Sequence, residues 1–387
     1  MKYDFETIVN RSKTGSLKWS SAERQLGKAC TIPPLSTADM EFVACPSVEK
    51  ALINAITNQC VFGYTGQPDG YSDVVIDWFK KEHTADIEPE WIFQTSGVIQ
   101  AIHHIVTCFT NEGDGIIVQT PVYHQFMNII NHTKRTILEN PLKIVDGKYC
   151  MDYKDLEEKA KQAKMILLCS PHNPVGRVWD YEELIKIKDI AIKNNLIIVA
   201  DEIHFDFTHG KKHTVFTTLD KDHTILCTSP SKTFNLAGLN FANIIIPNKD
   251  IREKLQKHMD NEDIHMQTYF GYYATMGAYS DSGSEWKNEL NETIENNFVL
   301  VKAFFNEKYP TCYVSPLEGT YLAWIDLSSF GYKENEILDK LVSKEIFVDK
   351  GSSFGTNGEC FIRVNLACPT VIIKEVLKRF ETCLMNK

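Results

Sequence analysis

The sequence has no long hydrophobic run. Its longest apolar stretches, such as NLIIVA and ANIIIP, are the length of a β-strand and too short to cross a bilayer. The first ten residues, MKYDFETIVN, contain no apolar core of the kind that secretory signals have. We therefore expect a cytoplasmic protein that has no membrane partner.

Paired cysteines and an excess of positive charge are also missing. The 11 cysteines form no Cys-x-x-Cys pair and are odd in number. This argues against a disulfide framework or a zinc ribbon and favours a reducing compartment. The chain of 387 residues carries a formal net charge of −10. A nucleic-acid-binding surface needs a basic stripe, so nucleic acid is not an expected partner.

The middle of the chain alternates short apolar runs with amphipathic stretches. The runs lie within GDGIIVQTP, AKMILLCSPHNP, NNLIIVADEIH and HTILCTSPSK, and most of them end in polar residues. A continuous apolar run predicts a strand that is covered on both faces, as in a parallel sheet flanked by helices. YEELIKIKDIAIKNN has helical spacing. The pattern predicts a large α/β domain with a mainly parallel central sheet.

The last hundred or so residues differ from the middle of the chain. NELNETIENNFVLVKAFFNEKY predicts a long helix, whereas YLAWIDL, EIFVDKG and CFIRVNLAC predict short strands of a smaller α+β domain. We predict a large domain at residues 46–283 and a small domain at residues 284–387. Residues 1–45 are predicted to associate with the small domain.

Three predicted strands are followed by residues that can take part in chemistry: Asn173, Asp201 and Lys232. Ligands of such sheets bind at the carboxyl ends of the strands, so we expect these side chains to converge. A buried lysine near cationic groups has a lowered pKa, and its neutral amine can attack a carbonyl. A carboxylate that caps a loop, a solvated lysine and an Asn-Pro turn are the structural alternatives.

The segment QTSGVIQAIHHIVTCF predicts a strand end followed by Ser96 and Gly97 at the start of a helix. A helix N-terminus that opens on glycine is a ready anion site, which makes it a candidate phosphate site. Ser229 and Ser231 flank Lys232 and are further candidate phosphate donors.

Two further residues have both a structural and a functional interpretation. Tyr123 is either a core tyrosine or an aromatic ring stacked on a cofactor. Arg363 interrupts an apolar strand. Because arginine is seldom buried without a partner, a bidentate pair with a substrate carboxylate is the simplest explanation.

A metal site near the end of the Asp201 strand is disfavoured. Strand alternation sends Asp201 and Glu202 to opposite faces of the sheet, which separates these two acids from each other. His209 and His213 have the spacing of two metal ligands on a helix, but the segment THGKKH that contains them is typical of a loop. We therefore predict no metal, and His204 and Asp206 are not assigned as ligands.

Taken together, the motifs resemble the fold-type I pyridoxal-phosphate enzymes of the aspartate aminotransferase superfamily. The resemblance covers almost the whole chain and consists of Gly-Tyr at Tyr64, Ser-Gly at Ser96 and Gly97, Pro-x-Tyr at Tyr123, Asn-Pro-x-Gly at Asn173, Asp-Glu-x-His at Asp201, Ser-x-Ser-Lys at Lys232 and Arg-x-Asn at Arg363. Within the superfamily, ADMEF, GYTGQPDGY, SPHNPVGRVW, ADEIHFD and SKTFNLAGLN are most similar to the MalY/PatB family of cystathionine β-lyases and cysteine C–S lyases.

The resemblance implies a PLP-dependent transferase-like fold and pyridoxal 5'-phosphate as cofactor, bound to Lys232 as a Schiff base. It implies that the catalytic residues are Lys232, Tyr123 and Asp201, that the cofactor also contacts Asn173, Ser96, Gly97, Val98, His204, Ser229, Ser231 and Tyr64, and that Arg363, Tyr64 and Asn173 bind an amino-acid substrate. Tyr64 would come from the partner subunit of a homodimer.

One motif departs from the superfamily. Its transaminases usually have Pro-Gly-x-Arg after the lysine, with the arginine on the phosphate, but here Ala237 and Asn240 occupy those places. The same change occurs in the C–S lyases. The family motif ADMD also differs: this sequence has ADME, with Glu41 in place of the last aspartate.

The implied activity is β-elimination of L-cystathionine and related cysteine S-conjugates to a thiol, pyruvate and ammonia, in amino-acid metabolism such as methionine biosynthesis. The alternatives are a class I/II aminotransferase, which the missing arginine disfavours, and a regulatory protein on this scaffold with secondary lyase activity. A metal-dependent hydrolase is disfavoured because no ligand spacing supports it.

Overall fold

The computed structural model describes residues 2–59, 61–264 and 267–383. Within these ranges the α-helices are α1 (Leu17–Leu26), α2 (Pro46–Gln59), α3 (Tyr71–His83), α4 (Val98–Phe109), α5 (His124–His132), α6 (Tyr153–Ala160), α7 (Tyr181–Lys193), α8 (Pro230–Thr233), α9 (Lys249–Asn261), α10 (Tyr269–Ala278), α11 (Asp281–Lys308), α12 (Glu334–Ser343) and α13 (Thr370–Glu381). The strands are β1 (Ile92–Thr95), β2 (Gly115–Val118), β3 (Thr136–Glu139), β4 (Lys143–Val145), β5 (Lys148–Cys150), β6 (Ala163–Cys169), β7 (Ile197–Asp201), β8 (Thr224–Thr228), β9 (Ala242–Ile245), β10 (Leu322–Asp326), β11 (Asp349–Lys350) and β12 (Phe361–Asn365).

A seven-stranded sheet in the order β1-β9-β8-β7-β6-β2-β3 forms the centre of the molecule. The neighbours from β8 to β3 pair in parallel, and β9 runs antiparallel to both β8 and β1. The prediction of an α/β fold with a mainly parallel central sheet is confirmed.

The apolar strands are buried on both faces, as the continuous runs predict. In β6, Met165 and Leu167 belong to one core cluster, whereas Ile166 and Leu168 belong to the cluster on the opposite face. All four are fully buried. Burying one such side chain stabilises the fold by about 1.5–3 kcal/mol, so the sheet is a rigid base for the residues at its carboxyl edge.

The carboxy-terminal part of the chain builds a second, antiparallel sheet in the order β10-β12-β11. The amino-terminal segment lies against it: the N–H of Glu41 donates to the carbonyl of Ala367, and the N–H of Asn365 donates to the carbonyl of Leu35. The 28-residue helix α11 begins at Asp281. The predicted boundary between residues 283 and 284 therefore falls within its first turn, and the division into domains stays a prediction.

In the part of the chain that the structure describes, no helix combines the length and the apolar character needed to span a bilayer.

Candidate active site

Most of the predicted site residues line one cavity at the carboxyl edge of the large sheet. These are Gly97, Val98, Tyr123, Asn173, Asp201, His204, Ser231 and Lys232. Asp201 is the last residue of β7, and Lys232 lies in the short helix α8 that follows β8. Because β7 and β8 are parallel neighbours, the two side chains emerge at the same edge of the sheet.

Lys232 provides an amine inside the cavity. Its Nζ donates a 2.7 Å hydrogen bond to the carbonyl oxygen of Ala38. Burial and the nearby Arg363 guanidinium lower the pKa of Lys232 to about 8. A sizeable fraction of this amine is therefore neutral near pH 8, which is the form that acts as a nucleophile or a base.

Asp201 provides a buried carboxyl group. Burial raises the pKa of Asp201 to about 7, against the opposing effects of the Ile203 N–H and the charge of Lys232. The Ile203 N–H donates to Oδ1 at 3.2 Å. Among the described residues, no basic side chain forms an ion pair with Asp201. A cation placed beside the carboxylate would stabilise its ionised form.

Asn173 connects the cavity to Arg363. The Nη1 of Arg363 donates a 2.8 Å hydrogen bond to Oδ1 of Asn173. The NH2 end of this amide is therefore the donor available to a molecule in the cavity. The backbone N–H of Asn173 donates to Sγ of Cys169, which fixes the loop after β6.

Helix α4 opens onto the cavity at Gly97 and Val98. Gly97 has φ +112°, which a residue with a side chain rarely adopts, and a Cβ atom built there would meet nothing within 4 Å. No side chain among the described residues caps this end of the helix. Unsatisfied N–H groups and the helix dipole favour an anion at such an end, and the phosphate contact stays a prediction.

Two of the predicted site residues contribute ring side chains to the cavity wall. Tyr123 is half-buried, and burial raises the pKa of its hydroxyl, an effect that the charge of Arg363 opposes. His204 is buried, and its Nδ1 has no hydrogen-bond partner within the described part of the chain. Burial holds the pKa of His204 well below its ordinary value, so the ring is neutral at pH 7.

Four predicted residues lie outside the cavity wall. Arg363 reaches it through Asn173, and Ser96 Oγ donates to Oε1 of Gln267. Ser229 is buried; its Oγ donates to the Phe241 carbonyl and accepts from the Ser231 N–H. The structure thus gives Ser229 the role of the N-cap of α8, and its contact with a phosphate stays a prediction.

Tyr64 does not approach the cavity within this chain. Its side chain is 95% exposed. An exposed position is what we expect of a residue that contributes to the neighbouring subunit's site. The contact of Tyr64 with a cofactor stays a prediction.

Arg363 has a partner that the sequence did not indicate. Its Nε and Nη2 both donate to Oδ2 of Asp349, at 3.0 and 2.5 Å. The Thr37 N–H also donates to this carboxylate. Asp349 is therefore bonded to the guanidinium fork and to the amino-terminal segment at once. The register of β11 with β12, in which Asp349 lies opposite Arg363, creates the pair.

The amino-terminal segment forms part of the cavity wall through Ala38. Besides Lys232, the hydroxyl of Tyr321 donates to the Ala38 carbonyl at 2.8 Å. Next to it lies a buried ion-pair cluster, in which Lys18 contacts Asp39 at 2.8 Å and Glu41 at 2.7 Å. Glu41, at the position where the family has aspartate, is fully buried within this cluster.

Ala237 and Asn240 also line the cavity. Asn240 ends a 3-10 turn at Ala237–Leu239 and adopts φ +49°. Asparagine tolerates this left-handed conformation better than most residues. No guanidinium is supplied at this position, as the sequence indicated.

The groups in the cavity fit pyridoxal 5'-phosphate. The uncapped N-terminus of α4 suits the phosphate, the NH2 of Asn173 suits the phenolate oxygen, and the carboxyl of Asp201 suits a protonated ring nitrogen. The amine of Lys232 suits the aldehyde.

Comparisons with known proteins agree with this geometry. The family model described as aminotransferase class I and II matches residues 33–380. Cystathionine beta-lyase PatB of Bacillus subtilis is 34% identical over 98% of this chain and 100% of its own length. Protein MalY of Escherichia coli is 28% identical over 95% of each chain.

Among solved structures, cystalysin of Treponema denticola superimposes with a TM-score of 0.96 at 41% identity, over 99% of each chain. That crystal structure contains a pyridoxal 5'-phosphate cofactor. The chain therefore belongs to the aminotransferase class I and II family and, within it, to the group that includes PatB and MalY.

Proposed function

We propose that this chain is a pyridoxal 5'-phosphate-dependent C–S lyase. Its reaction is β-elimination of L-cystathionine and related cysteine S-conjugates to a thiol, pyruvate and ammonia. The observation that carries the proposal is the shared cavity of Lys232 and Asp201, in which an amine of lowered pKa and a buried carboxyl group emerge from neighbouring parallel strands.

Bound pyridoxal 5'-phosphate supplies an electron sink for the negative charge that develops at the substrate Cα. Lys232 would hold the cofactor, and its Nζ would remove the Cα proton of the substrate. The pKa of about 8 for Lys232 keeps enough neutral amine for this task near neutral pH. Asp201 stabilises positive charge on the ring nitrogen, so that the ring can accept electrons.

Arg363 is proposed to bind the substrate α-carboxylate. Its guanidinium is buried, and the hydrogen bond to Asn173 fixes its orientation. A planar fork pairs with a carboxylate through two parallel hydrogen bonds, which a lysine cannot do. Asp349 occupies one edge of this fork, so the substrate carboxylate must use the remaining N–H groups or displace Asp349.

Lyase activity is proposed ahead of transamination for two reasons. PatB is a cystathionine beta-lyase by name and matches this chain over its whole length. Ala237 and Asn240 also stand where the transaminases of the superfamily have Pro-Gly-x-Arg. The same first step, removal of the Cα proton, is common to both reactions.

The test incubates purified holoenzyme with L-cystathionine and measures pyruvate and free thiol. Equal yields of the two products, with no keto acid added, support the lyase. Transfer of the amino group to an added keto acid, without release of thiol, would show an aminotransferase. The Lys232→Ala variant is the control for both activities.

A homodimer is proposed because the segment before α3 presents large apolar side chains to solvent. Val61 is 72% and Phe62 is 60% exposed, and both lie close in sequence to the exposed Tyr64. A second copy of this chain would cover these residues and bring Tyr64 to its site. Twofold dimers are the commonest assembly of soluble chains.

Cellular context follows from the same proposal. Homocysteine from L-cystathionine is a precursor of methionine, which suggests a role in methionine biosynthesis. The ten cysteines that the structure describes are free thiols. Free thiols suit a reducing compartment such as the cytoplasm.

A further inference from the structure

A second cluster of titratable side chains lies between α4 and α9, outside the wall of the active-site cavity. Nδ1 of His104 is 2.9 Å from Oε2 of Glu262. Nε2 of His258 is 3.4 Å from Oε1 of the same carboxylate. One ligand atom from each of the three residues lies within 4.8 Å of the other two.

His104 is the buried member of this cluster. Its residue surface is 6% exposed, its Nδ1 lies 2.9 Å from the Glu262 carboxylate, and its Nε2 has no hydrogen-bond partner among the described residues. Buried polar groups almost always have partners, so the unpartnered Nε2 of this buried imidazole needs an explanation.

His104 offers an imidazole ring to the cluster. A neutral imidazole carries a lone pair on one nitrogen, which is the form that binds a metal ion.

The three side chains provide two imidazole nitrogens and one carboxylate oxygen. This ligand set favours zinc and neighbouring transition metals over calcium and magnesium, which take oxygen ligands. The side chains of His258 and Glu262 are 23% and 43% exposed, so an ion could reach the cluster from solvent and keep a water molecule as a further ligand. His258 and Glu262 are also four residues apart, a spacing that brings side chains together at the end of α9.

We propose that His104, His258 and Glu262 bind one divalent cation of the zinc class, which joins α4 to α9. The bound ion would hold the two helices in a fixed position relative to each other. Val98, which borders the cofactor cavity, is six residues before His104 in the same helix, a rise of about 9 Å. Fixing α4 against α9 would hold the N-terminus of α4 in place at the cavity.

The competing explanation is a group of hydrogen bonds without metal. Nε2 of His258 lies 3.1 Å from Oγ1 of Thr107, so this ring can be satisfied within the protein. That explanation leaves Nε2 of His104 without a partner among the described residues, and it predicts that zinc neither binds at this position nor changes stability.

The test uses holoenzyme dialysed against EDTA and titrated with ZnCl2 by calorimetry, together with the midpoint of thermal unfolding. The variants are His258→Gln and Glu262→Gln, at partly exposed positions, and His104→Gln, at the buried one. His103→Gln is the matched control, because His103 is exposed on the same helix and lies outside the cluster. Circular dichroism checks that each variant is folded.

We expect wild type and His103→Gln to bind about one zinc ion per chain and to gain thermal stability that EDTA reverses. Loss of one ligand should weaken binding at least about tenfold in His258→Gln and Glu262→Gln. Cobalt binding monitored by absorption should show ligand-field bands without charge transfer from thiolate.

Two results would overturn the proposal. Equal binding by wild type, His258→Gln and Glu262→Gln would mean that zinc binds only adventitiously, for example at a free cysteine. No binding by wild type would leave the cluster as a group of hydrogen bonds. Both readouts are independent of lyase activity, so a failure of the proposed function does not affect them.

Discussion

Arg363 and Asn173 join the two sheets of the molecule through a 2.8 Å hydrogen bond from Nη1 to Oδ1. Arg363 belongs to β12 of the small sheet, and Asn173 follows β6 of the large one. The same guanidinium pairs with Asp349. Arg363, the proposed ligand of the substrate carboxylate, is therefore connected to the geometry of both sheets and to the amide of Asn173 in the cavity wall.

Replacement of Arg363 separates substrate binding from cofactor binding. Arg363→Lys should retain the bound cofactor and lose most of its kcat/KM for L-cystathionine, because an ammonium lacks the planar fork. Arg363→Ala should cost more, about 2–5 kcal/mol, or roughly 30- to 5000-fold in kcat/KM. Steady-state kinetics and cofactor absorbance measure the two effects.

Asp349→Asn is the control for this pair. It removes the negative charge that competes for the guanidinium but leaves Arg363 in place. If Arg363→Ala released the cofactor while activity per bound cofactor stayed intact, the carboxylate role of Arg363 would be wrong.

Lys232 should carry the cofactor. Reduction of the yellow holoenzyme with borohydride is expected to attach pyridoxal phosphate to the peptide that contains Lys232. Of the lysines that the structure describes, only Lys232 lines the cavity. Peptide mass spectrometry identifies the modified residue, and a label on a different lysine would refute the assignment.

The raised pKa of Asp201 predicts how the stability of the cofactor-free protein depends on pH. Its pKa is raised from 3.8 to about 7, so the folded state favours the protonated form. Stability from this group is present below pH about 4 and is lost as pH rises to about 7. At about 1.4 kcal/mol per pKa unit, the full loss is about 4 kcal/mol.

Asp201→Asn cannot ionise and should avoid this loss. The difference in unfolding midpoint between Asp201→Asn and wild type should therefore increase from pH 5 to pH 8 in the cofactor-free protein. Asp86→Asn, at an 87% exposed side chain, is the control and should show no such trend. A difference that does not change with pH would contradict the buried position of Asp201. In the holoenzyme, Asp201→Asn should bind cofactor but lose most of the lyase activity.

Lys18 should contribute both to the stability of the fold and to the position of the cavity wall at Ala38. Its side chain is 1% exposed and lies between the carboxylates of Asp39 and Glu41. Lys18→Met removes one cation from a buried cluster, a change that typically costs about 3–5 kcal/mol. We expect a lower unfolding midpoint and a higher KM, because Asp39 adjoins the Ala38 carbonyl that Lys232 and Tyr321 contact.

Lys154→Met, at an exposed lysine of α6, is the comparison for this variant. It should leave both quantities within the error of wild type. An unchanged midpoint for Lys18→Met would show that Arg11, which also contacts both carboxylates, is sufficient on its own.

The dimer prediction rests on Tyr64 and its exposed neighbours. Sedimentation velocity should give the mass of two chains, and activity should fall on dilution below the dissociation constant. Tyr64→Phe should keep the dimer and weaken cofactor binding, because it removes one hydroxyl. A fully active monomer would refute the assignment of Tyr64 to the partner's site.

Local sequence patterns were sufficient for the sheet and for the position of the site. Continuous apolar runs such as that of β6 predicted strands buried on both faces, and Met165 and Ile166 lie in opposite clusters. Asp201 and Lys232 follow such runs, so topology alone placed them at one edge. The helix start at Gly97 was equally local, because it depends on one glycine after a strand.

Contacts between residues that are distant in sequence could not be predicted from local patterns. The phosphate role of Ser229 stays a prediction, but the bond of its hydroxyl to the carbonyl of Phe241, 12 residues later, was not indicated by its sequence context. Nothing in the local pattern of Asp349 indicates a partner for Arg363, and the pair arises from the register of two short strands.

The sequence by itself determined the class of fold and the residue types at the carboxyl edge of the sheet, because burial imposes a periodicity that each segment carries alone. Only the tertiary structure decided which of those residues share a cavity and what they contact. Lys232 bonds to Ala38 across 194 residues, and Tyr321 reaches the same carbonyl across 283. Contacts of this range depend on how whole elements come together, and that arrangement is a property of the folded chain.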